Sequence, residues 1–471
     1  MDWKTCGFVA ATFGLCVTLC GQSQSITGSI SSSTRNPTGK VIPKTATTFR
    51  HWNDEFSCAY RSSLAGIYSS RDDEEQIAVI RRPRNMADQW QYPCTHKTGA
   101  QILTQIALKE IQEALHQDEV ILEYALREPS SMCKAITRQS VQRIELASRH
   151  VIESEIAAYR EDILHGRQSL QIARRLYDLL LAPIAGLERK RRITIIPGGL
   201  LHLLPFEALV TPSSDYVINT HMINYSPLAA ITLCNRRIPR KPDRHCRLLA
   251  VGDPCSPFSK RMEAALFADA PKPASLHGAR MEILSITNSL IKAAETVTLL
   301  GEDASETGIK ALNLADFNIL HFAVHGTSDT NHPAGSALVL GSSVDETEDG
   351  ILQACEVSRL GLNADLVVLS ACNTAMGKQS GQDGISDLVH AFLLAGARTV
   401  VGSIWPAEDR STANLMIGFY TYLAQGMDKG SALRQAKLDF VKKYKDNAFP
   451  ILWAGMIMIG DSSGSIFKDH P

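Results

Sequence analysis

The sequence predicts an α/β protein in which mostly parallel sheets are covered by helices. Two observations support this prediction. Uninterrupted apolar runs of strand length recur along the chain, and amphipathic segments of helix length separate them. A strand that is buried on both faces has no polar side, so its sequence is continuously apolar instead of alternating. Alternation of such strands with helices is typical of parallel sheets flanked by helices.

The composition restricts the function. The chain has 471 residues, of which 44% are hydrophobic, and 48 basic side chains balance 49 acidic ones. Nucleic-acid binding normally requires a basic excess, so we expect no nucleic-acid partner. The eleven cysteines include no C-x-x-C pair, and neither G-x-x-x-x-G-K-[ST] nor H-E-x-x-H occurs. The sequence therefore predicts no cofactor and no metal site.

The first residues have the pattern of an export signal. Residues 7–20 form an uncharged apolar run behind Lys4, which is too short to span a membrane but typical of a signal peptide. We expect residues 1–21 to be a signal peptide or anchor, so the protein is exported or membrane-anchored through its N-terminus only. A cytoplasmic protein is the alternative, because Asp2 cancels Lys4 and no A-x-A site follows. Residues 22–99 are weakly patterned and are predicted to be a linker.

Residues 100–235 are predicted to form the amino-terminal half of an α/β body. Its first apolar residues recur at helical spacing and predict a helix from about residue 101 to 115: Ile102, Leu103, Ile106, Ile111 and Leu115. Residues 119–126 are predicted to form a strand, and residues 168–182 a helix that Pro183 closes. Residues 192–210 are predicted to form a strand, a Pro-Gly-Gly turn and a short helix. The basic cluster from Arg189 to Arg192 precedes that strand, and a solvated loop is favoured over a phosphate site.

Residues 246–462 are predicted to form the carboxyl-terminal half, and the two halves are expected to form one compact body. Apolar runs predict strands at 247–253, 296–300, 318–324, 365–371 and 397–405. Amphipathic segments predict helices at 276–294, 384–396, 409–425 and 430–445.

Two of these strands run directly into chemically reactive residues. The strand at 318–324 is followed by His325-Gly326, and the strand at 365–371 is followed by Cys372-Asn373-Thr374. Functional residues of parallel sheets gather at the carboxyl ends of strands, so the two side chains can share one crevice if the strands are neighbours. Cys372 follows His325 by 47 residues, close to the spacing of about 50 in caspase-type peptidases.

The chemistry of a cysteine nucleophile explains why these residue types would occur together. A thiolate is the attacking species, and a nearby imidazole lowers the thiol pKa and later protonates the leaving amine. Gly326 lacks a side chain, so its backbone N–H could donate to an oxyanion, although a plain turn glycine is the alternative. Taken singly, Cys372 would be a buried inert thiol and His325 a structural histidine, and only the pair favours a Cys–His hydrolase.

Three blocks of the carboxyl-terminal half resemble the CHAT-domain family. They are NILHFAVHGT (318–327), DLVVLSACNTAMG (365–377) and DGISDLVHAFLLAGARTVVGSIWPAED (383–409). Segments upstream, including ITIIPGGLLHLLPFEALV, are similar to the family's amino-terminal half, so the resemblance spans about 100–462. It implies a caspase-hemoglobinase-like fold made of two tandem caspase-like halves, each a mostly parallel sheet flanked by helices, of which only the second carries a Cys–His dyad.

The resemblance also implies roles for individual residues. His325 would be the base, Cys372 the nucleophile, and the amides of Gly326 and Cys372 the oxyanion donors. His321 fits the same block. On a regular strand it would point the same way as His325, and we interpret it as a packing residue with some chance of assisting. Trp405-Pro406 would form a wall of the cleft. The loop acids that could bind a basic substrate side chain, or simply be solvated, are Asp349, Asp383 and Asp409; Asp409 is also a predicted helix N-cap.

Two functions remain open from the sequence. The first is a cysteine endopeptidase that cleaves a specific protein partner through a thioester acyl-enzyme. The second is a non-proteolytic interaction or signalling module that keeps the fold. The sequence does not specify the oligomeric state.

Overall fold

The computed structural model describes most of the chain from residue 103 onward. The described ranges are 76–80, 103–229, 245–254, 277–290, 293–327, 336–341, 348–370, 387–406 and 409–467, and the side chains of residues before 108 and of residues 277, 327, 387 and 409 are left out. The predicted leader at 1–21, almost all of the predicted linker, Cys372 and Asp383 lie outside these ranges. Among the helices described, none is long and apolar enough to cross a membrane.

Sixteen strands are described. In chain order they are β1 Gln76–Ile80, β2 Leu103–Ala107, β3 Glu119–Ala125, β4 Ser131–Ile136, β5 Val141–Leu146, β6 Arg192–Ile196, β7 Met222–Tyr225, β8 Arg247–Pro254, β9 Glu295–Gly301, β10 Ile319–Ala323, β11 His325–Thr327, β12 Ala337–Val339, β13 Ile351–Gln353, β14 Leu366–Leu369, β15 Thr399–Ser403 and β16 Met456–Gly460. Eleven of them form one sheet in the order β5-β4-β3-β6-β7-β16-β15-β14-β10-β8-β9. Strands β11, β12 and β13 form a separate antiparallel sheet.

Nine helices are described. They are α1 Leu108–Ala114, α2 Arg149–Leu164, α3 Leu170–Leu180, α4 His277–Leu290, α5 Glu306–Lys310, α6 Ala354–Val357, α7 Asp387–Ala395, α8 Asp409–Ala424 and α9 Lys429–Tyr444.

The large sheet confirms the predicted fold class. All its neighbouring pairs are parallel except β4 with β5, β3 with β4 and β15 with β16. Strand β10, which is apolar except for His321, illustrates why the strands of this sheet have few polar residues. Leu320 and Phe322 lie in one buried cluster, while Ile319 and Ala323 lie in another that includes residues of α4 and α8. Successive side chains point to opposite faces, so helices cover the sheet on both sides.

The two predicted halves share this one sheet. Strands β3 to β7 come from the amino-terminal half, and β8 to β10 and β14 to β16 come from the other. The two groups meet where Tyr225 of β7 pairs with Ile459 of β16. Asn224 adds a hydrogen bond of 3.0 Å from its side-chain amide to the Gly460 carbonyl. The core is therefore continuous across the boundary between the halves.

One predicted helix is partly wrong. The segment from about 101 to 115 divides into strand β2 and helix α1, and β2 pairs antiparallel with β1 in the register Leu103↔Ile80. A short apolar run fits a strand as well as a helix, and only the pairing with β1 decides between them. Helix α2 went unpredicted, although Ile152, Ile156 and Tyr159 form a buried stripe at helical spacing.

Candidate active site

Strands β10 and β14 are parallel neighbours, as the candidate site requires. Their register pairs Ile319 with Leu366 and Phe322 with Leu369, so their carboxyl ends reach the same edge of the sheet. His325 follows Phe322 by three residues, and Cys372 follows Leu369 by three residues in the sequence. The condition on which the pair depends is therefore met. The pairing of the two side chains itself stays a prediction, because Cys372 lies outside the described residues.

His325 does not continue the strand that leads to it. Strand β10 ends at Ala323, the chain bends at Val324, and His325 begins β11 of the small antiparallel sheet. There His325 pairs with Val339 and Gly326 with Leu338 of β12. Both His325 and Gly326 are half-buried. The small sheet, and not the large one, sets the position of the predicted base.

The break at Val324 changes the interpretation of His321. The prediction that the His321 and His325 side chains point the same way required both residues to lie on one regular strand. The two residues instead belong to different sheets. His321 is fully buried against helices α4 and α8. Its Nδ1 lies 3.1 Å from the Tyr420 hydroxyl, and its Nε2 makes a close polar contact of 3.2 Å with Glu282. In this position His321 packs the helices onto the sheet.

The three loop acids lie in different situations. Asp349 is exposed in the turn before β13, and its Oδ1 accepts a hydrogen bond of 2.9 Å from the Ile351 N–H. Because Ile351 pairs with Val339, and Val339 with His325, this turn lies two strands away from the predicted base. Asp409 is the first residue of helix α8, one position later than an N-cap would be, and its side chain is outside the description. Asp383 also lies outside it.

The end of strand β15 forms a rigid support next to β14. Trp405 is fully buried and donates a hydrogen bond of 3.0 Å from Nε1 to the Ile451 carbonyl. Arg160 of α2, from the amino-terminal half, donates to the Ile404 carbonyl at 3.1 Å. Residues 403–405 are buried, and Pro406, which follows them, is exposed. Trp405 therefore packs under this edge of the sheet and has no exposed surface of its own.

A serine-hydrolase pattern, G-x-S-x-G, occurs at Gly460–Gly464 but marks no nucleophile. Ser462 is buried, and its hydroxyl lies 3.3 Å from the side-chain oxygen of Asn224. A nucleophile elbow requires a strand, a sharp turn and a helix, whereas β16 is followed here by irregular chain to residue 467.

The carboxylates with metal-ligand spacing already surround a lysine. Side-chain oxygens of Glu306, Glu348 and Glu356 lie within 4.8 Å of one another. The ammonium of Lys310 contacts all three, at 2.6, 2.8 and 3.0 Å respectively. Sequence reasoning missed this cluster, because only the Glu306–Lys310 spacing of four residues along α5 is visible without the fold.

Two histidines, the buried His202 and the half-buried His390, make the stability of the fold sensitive to acid. His202 follows β6 in the 3₁₀ turn Gly199–Leu203, and His390 lies on α7. Burial lowers the pKa of His202 from 6.5 to about 3, with a further lowering from His390, and burial lowers the pKa of His390 to about 4. Neither ring nitrogen of His202, which is 7% exposed, has a hydrogen-bond partner among the residues that the structure describes.

We therefore expect stability to fall on acidification from pH 6.5. Between pH 6.5 and about 3 the unfolded chain binds a proton at residue 202 that the folded chain does not, so the free energy of unfolding decreases as pH falls. At pH 5 the protonation of His202 in the unfolded chain lowers the free energy of unfolding by about 2 kcal/mol. His202→Leu should flatten the pH dependence of the free energy of unfolding, measured by urea unfolding. The control His150→Leu, at an exposed histidine, should retain that pH dependence. A wild-type slope in His202→Leu contradicts the assignment.

Comparisons with known proteins agree with the architecture. A CHAT domain model matches residues 170–461. Tetratricopeptide repeat protein 28 of Mus musculus is 26% identical over 333 residues, which cover 61% of this chain and 13% of that protein. The Homo sapiens protein of the same name is 26% identical over 331 residues, with the same coverage. This chain thus spans only a small part of those relatives.

Solved structures with a similar arrangement are more distant. The Saccharomyces cerevisiae separase–securin complex aligns over 75% of this chain and 30% of that chain, with 10% identity and a TM-score of 0.45. The Arg-specific cysteine proteinase gingipain R aligns over 63% of this chain and 67% of that chain, with 12% identity and a TM-score of 0.40. The family match covers well over half of the sequence and includes both strands that lead to the candidate site, and the chain therefore belongs to the CHAT domain family.

Proposed function

We propose that this chain is a cysteine endopeptidase that cleaves a specific protein partner, with Cys372 as nucleophile and His325 as base. The observation that carries the proposal is the register of β10 and β14. Phe322 and Leu369 pair on these neighbouring strands, and His325 and Cys372 each follow three residues later in the sequence. Neighbouring strands lie about 4.8 Å apart. Three residues of chain reach at most about 10 Å, so neither residue is far from the end of its strand, and the two can share one crevice.

The reaction follows from these two groups. His325 takes the thiol proton, and the Cys372 sulfur attacks the scissile carbonyl carbon to form a tetrahedral oxyanion. The amides of Gly326 and Cys372 donate to that oxyanion. Collapse breaks the C–N bond, the amine leaves with the proton from His325, and a thioester remains on Cys372. Water, deprotonated by His325, then releases the acid and restores the thiol.

Active-site labelling tests the proposal. Reduced protein is treated with electrophilic peptide probes that differ in the side chain before the electrophile, and labelled residues are identified by mass spectrometry. We expect Cys372→Ala to abolish labelling. The matched control is Cys355→Ala, because burial raises the pKa of this half-buried thiol on α6 and should keep it unreactive. Mapping new protein termini with wild type and Cys372→Ala then identifies the substrate.

Two outcomes contradict the proposal. Labelling that persists in Cys372→Ala would place the reactive thiol elsewhere. A wild-type protein that no probe labels would favour the non-proteolytic interaction module, since the fold would then be present without a reactive cysteine.

A further inference from the structure

The cluster of Glu306, Glu348 and Glu356 around Lys310, named here the carboxylate clamp, is attached to the sheet that carries His325. Glu306 is completely buried on α5, and burial raises its pKa while the bonded Lys310 lowers it. The Lys310 ammonium lies within hydrogen-bonding distance of all three carboxylates, at 2.6, 2.8 and 3.0 Å. Its ammonium therefore holds together groups that would otherwise repel.

Two of the clamp carboxylates also bind the backbone at the two ends of strand β13. Oε2 of Glu306 accepts a hydrogen bond of 3.0 Å from the N–H of Gly350, the residue just before the strand. Oε2 of Glu356 accepts one of 3.0 Å from the N–H of Gln353, its last residue. Gly350 has a φ of 80°, a conformation that glycine adopts without strain. Each carboxylate thus uses one oxygen for β13 and the other for Lys310.

Strand β13 transmits this attachment to His325. Its Ile351 pairs with Val339 of β12, and Val339 pairs with His325 of β11. The three strands are only three residues long, so few hydrogen bonds hold them. The middle residues of β12 and β13, Leu338 and Leu352, are buried in the core, and the ionic hydrogen bonds to β13 add an attachment that this packing does not supply.

We propose that Lys310 is a positioning residue which, through the carboxylate clamp and strands β13 and β12, fixes His325 at the candidate site. The structural part of the proposal stands on the described contacts, and its consequence for catalysis rests on the proposed function. Lys310, which is separated from His325 by strands β13 and β12, would then control the rate of peptide cleavage without touching substrate.

The test compares Lys310→Met with Lys134→Met. Lys134 pairs with Glu123, and its side chain is 27% exposed, against 28% for Lys310. It lies on β4 of the large sheet, far in sequence from the small sheet. Amide hydrogen exchange, read by mass spectrometry, should be at least about tenfold faster in Lys310→Met at residues 325–327, 337–339 and 350–353. Exchange along α9 should be unchanged, and Lys134→Met should match wild type throughout.

Peptidase kinetics give the second readout. We expect Lys310→Met to lower kcat on the order of 10- to 100-fold with little change in KM, because a displaced base affects the chemical step more than binding. Lys310→Arg, which keeps the cation, should recover most of the loss. Glu356→Gln, which keeps the size of the side chain, should loosen the same three segments if Lys310→Met fails to fold.

The outcomes separate this proposal from the proposed function. Faster exchange at 350–353 with wild-type exchange at 325–327 would show that the clamp stops at β13, and would overturn the proposal. Wild-type exchange in all three segments would overturn it as well. Because exchange requires no catalysis, a protein whose Cys372 proves unreactive still tests the clamp.

Discussion

His325→Gln should lower kcat/KM for a cleaved peptide by about 10²- to 10⁴-fold, the range for removing a positioned general base. The physical reason is that a glutamine amide neither takes the thiol proton nor returns one to the leaving amine. The remaining activity should rise continuously toward alkaline pH, because without the imidazole the Cys372 thiolate must form unaided. The measurement is the pH dependence of kcat/KM for the wild type and the variant.

His321→Gln is the matched control, because it removes the same ring from the neighbouring block. His321 is buried between Tyr420 and Glu282, so its replacement should lower the melting temperature and leave the pH profile of kcat/KM unchanged. If His325→Gln keeps the wild-type profile, or if His321→Gln changes it, the base has been assigned to the wrong histidine.

The sequence was sufficient for the fold class and for the strands that matter to the site. Strand β14 is apolar throughout, and β10 is apolar except for His321, since both of their faces are covered. That signal does not depend on tertiary contacts. The bend at Val324 left no comparable signal. It arises because His325 pairs with Val339, and residue pairing across a small irregular sheet is decided by the fold.

The polar residues that hold the site were harder to predict. Lys310 looks like an ordinary surface lysine of a short helix, because its partners Glu348 and Glu356 are more than 35 residues away along the chain. Likewise, Lys437 lies in a helix rich in charged residues, where solvent exposure is the usual outcome. Its burial follows only from the way the two halves pack together.

Lys437→Met should destabilise the protein by about 3–5 kcal/mol, the usual cost of removing one partner of a buried ion pair. Lys437 is on α9 of the carboxyl-terminal half and is completely buried. Its ammonium contacts the carboxylate of Glu207, in the 3₁₀ turn Phe206–Ala208 of the other half, and the Met456 carbonyl at 2.5 Å. Burial lowers the pKa of Lys437 and raises that of Glu207, so each charge depends on the other.

The double variant Lys437→Met/Glu207→Leu separates charge from packing. Replacing both members of a buried pair by apolar residues is often neutral or stabilising, so the double variant should regain most of the lost stability in urea unfolding. Arg175→Met, which removes a surface pair with Glu155, should change stability by less than about 1 kcal/mol. A double variant no more stable than Lys437→Met would show that packing, and not the unpaired Glu207 charge, causes the loss.

The same measurements test whether the halves fold as one unit. Glu207 and Lys437 belong to different halves, yet their side chains are in direct contact, and the large sheet is continuous from β5 to β9. Loss of Lys437 should therefore shift a single unfolding transition to lower urea with an unchanged m-value, because the same surface is exposed on unfolding. Two separate transitions in Lys437→Met would mean that each half has its own stability and that the shared sheet does not couple them.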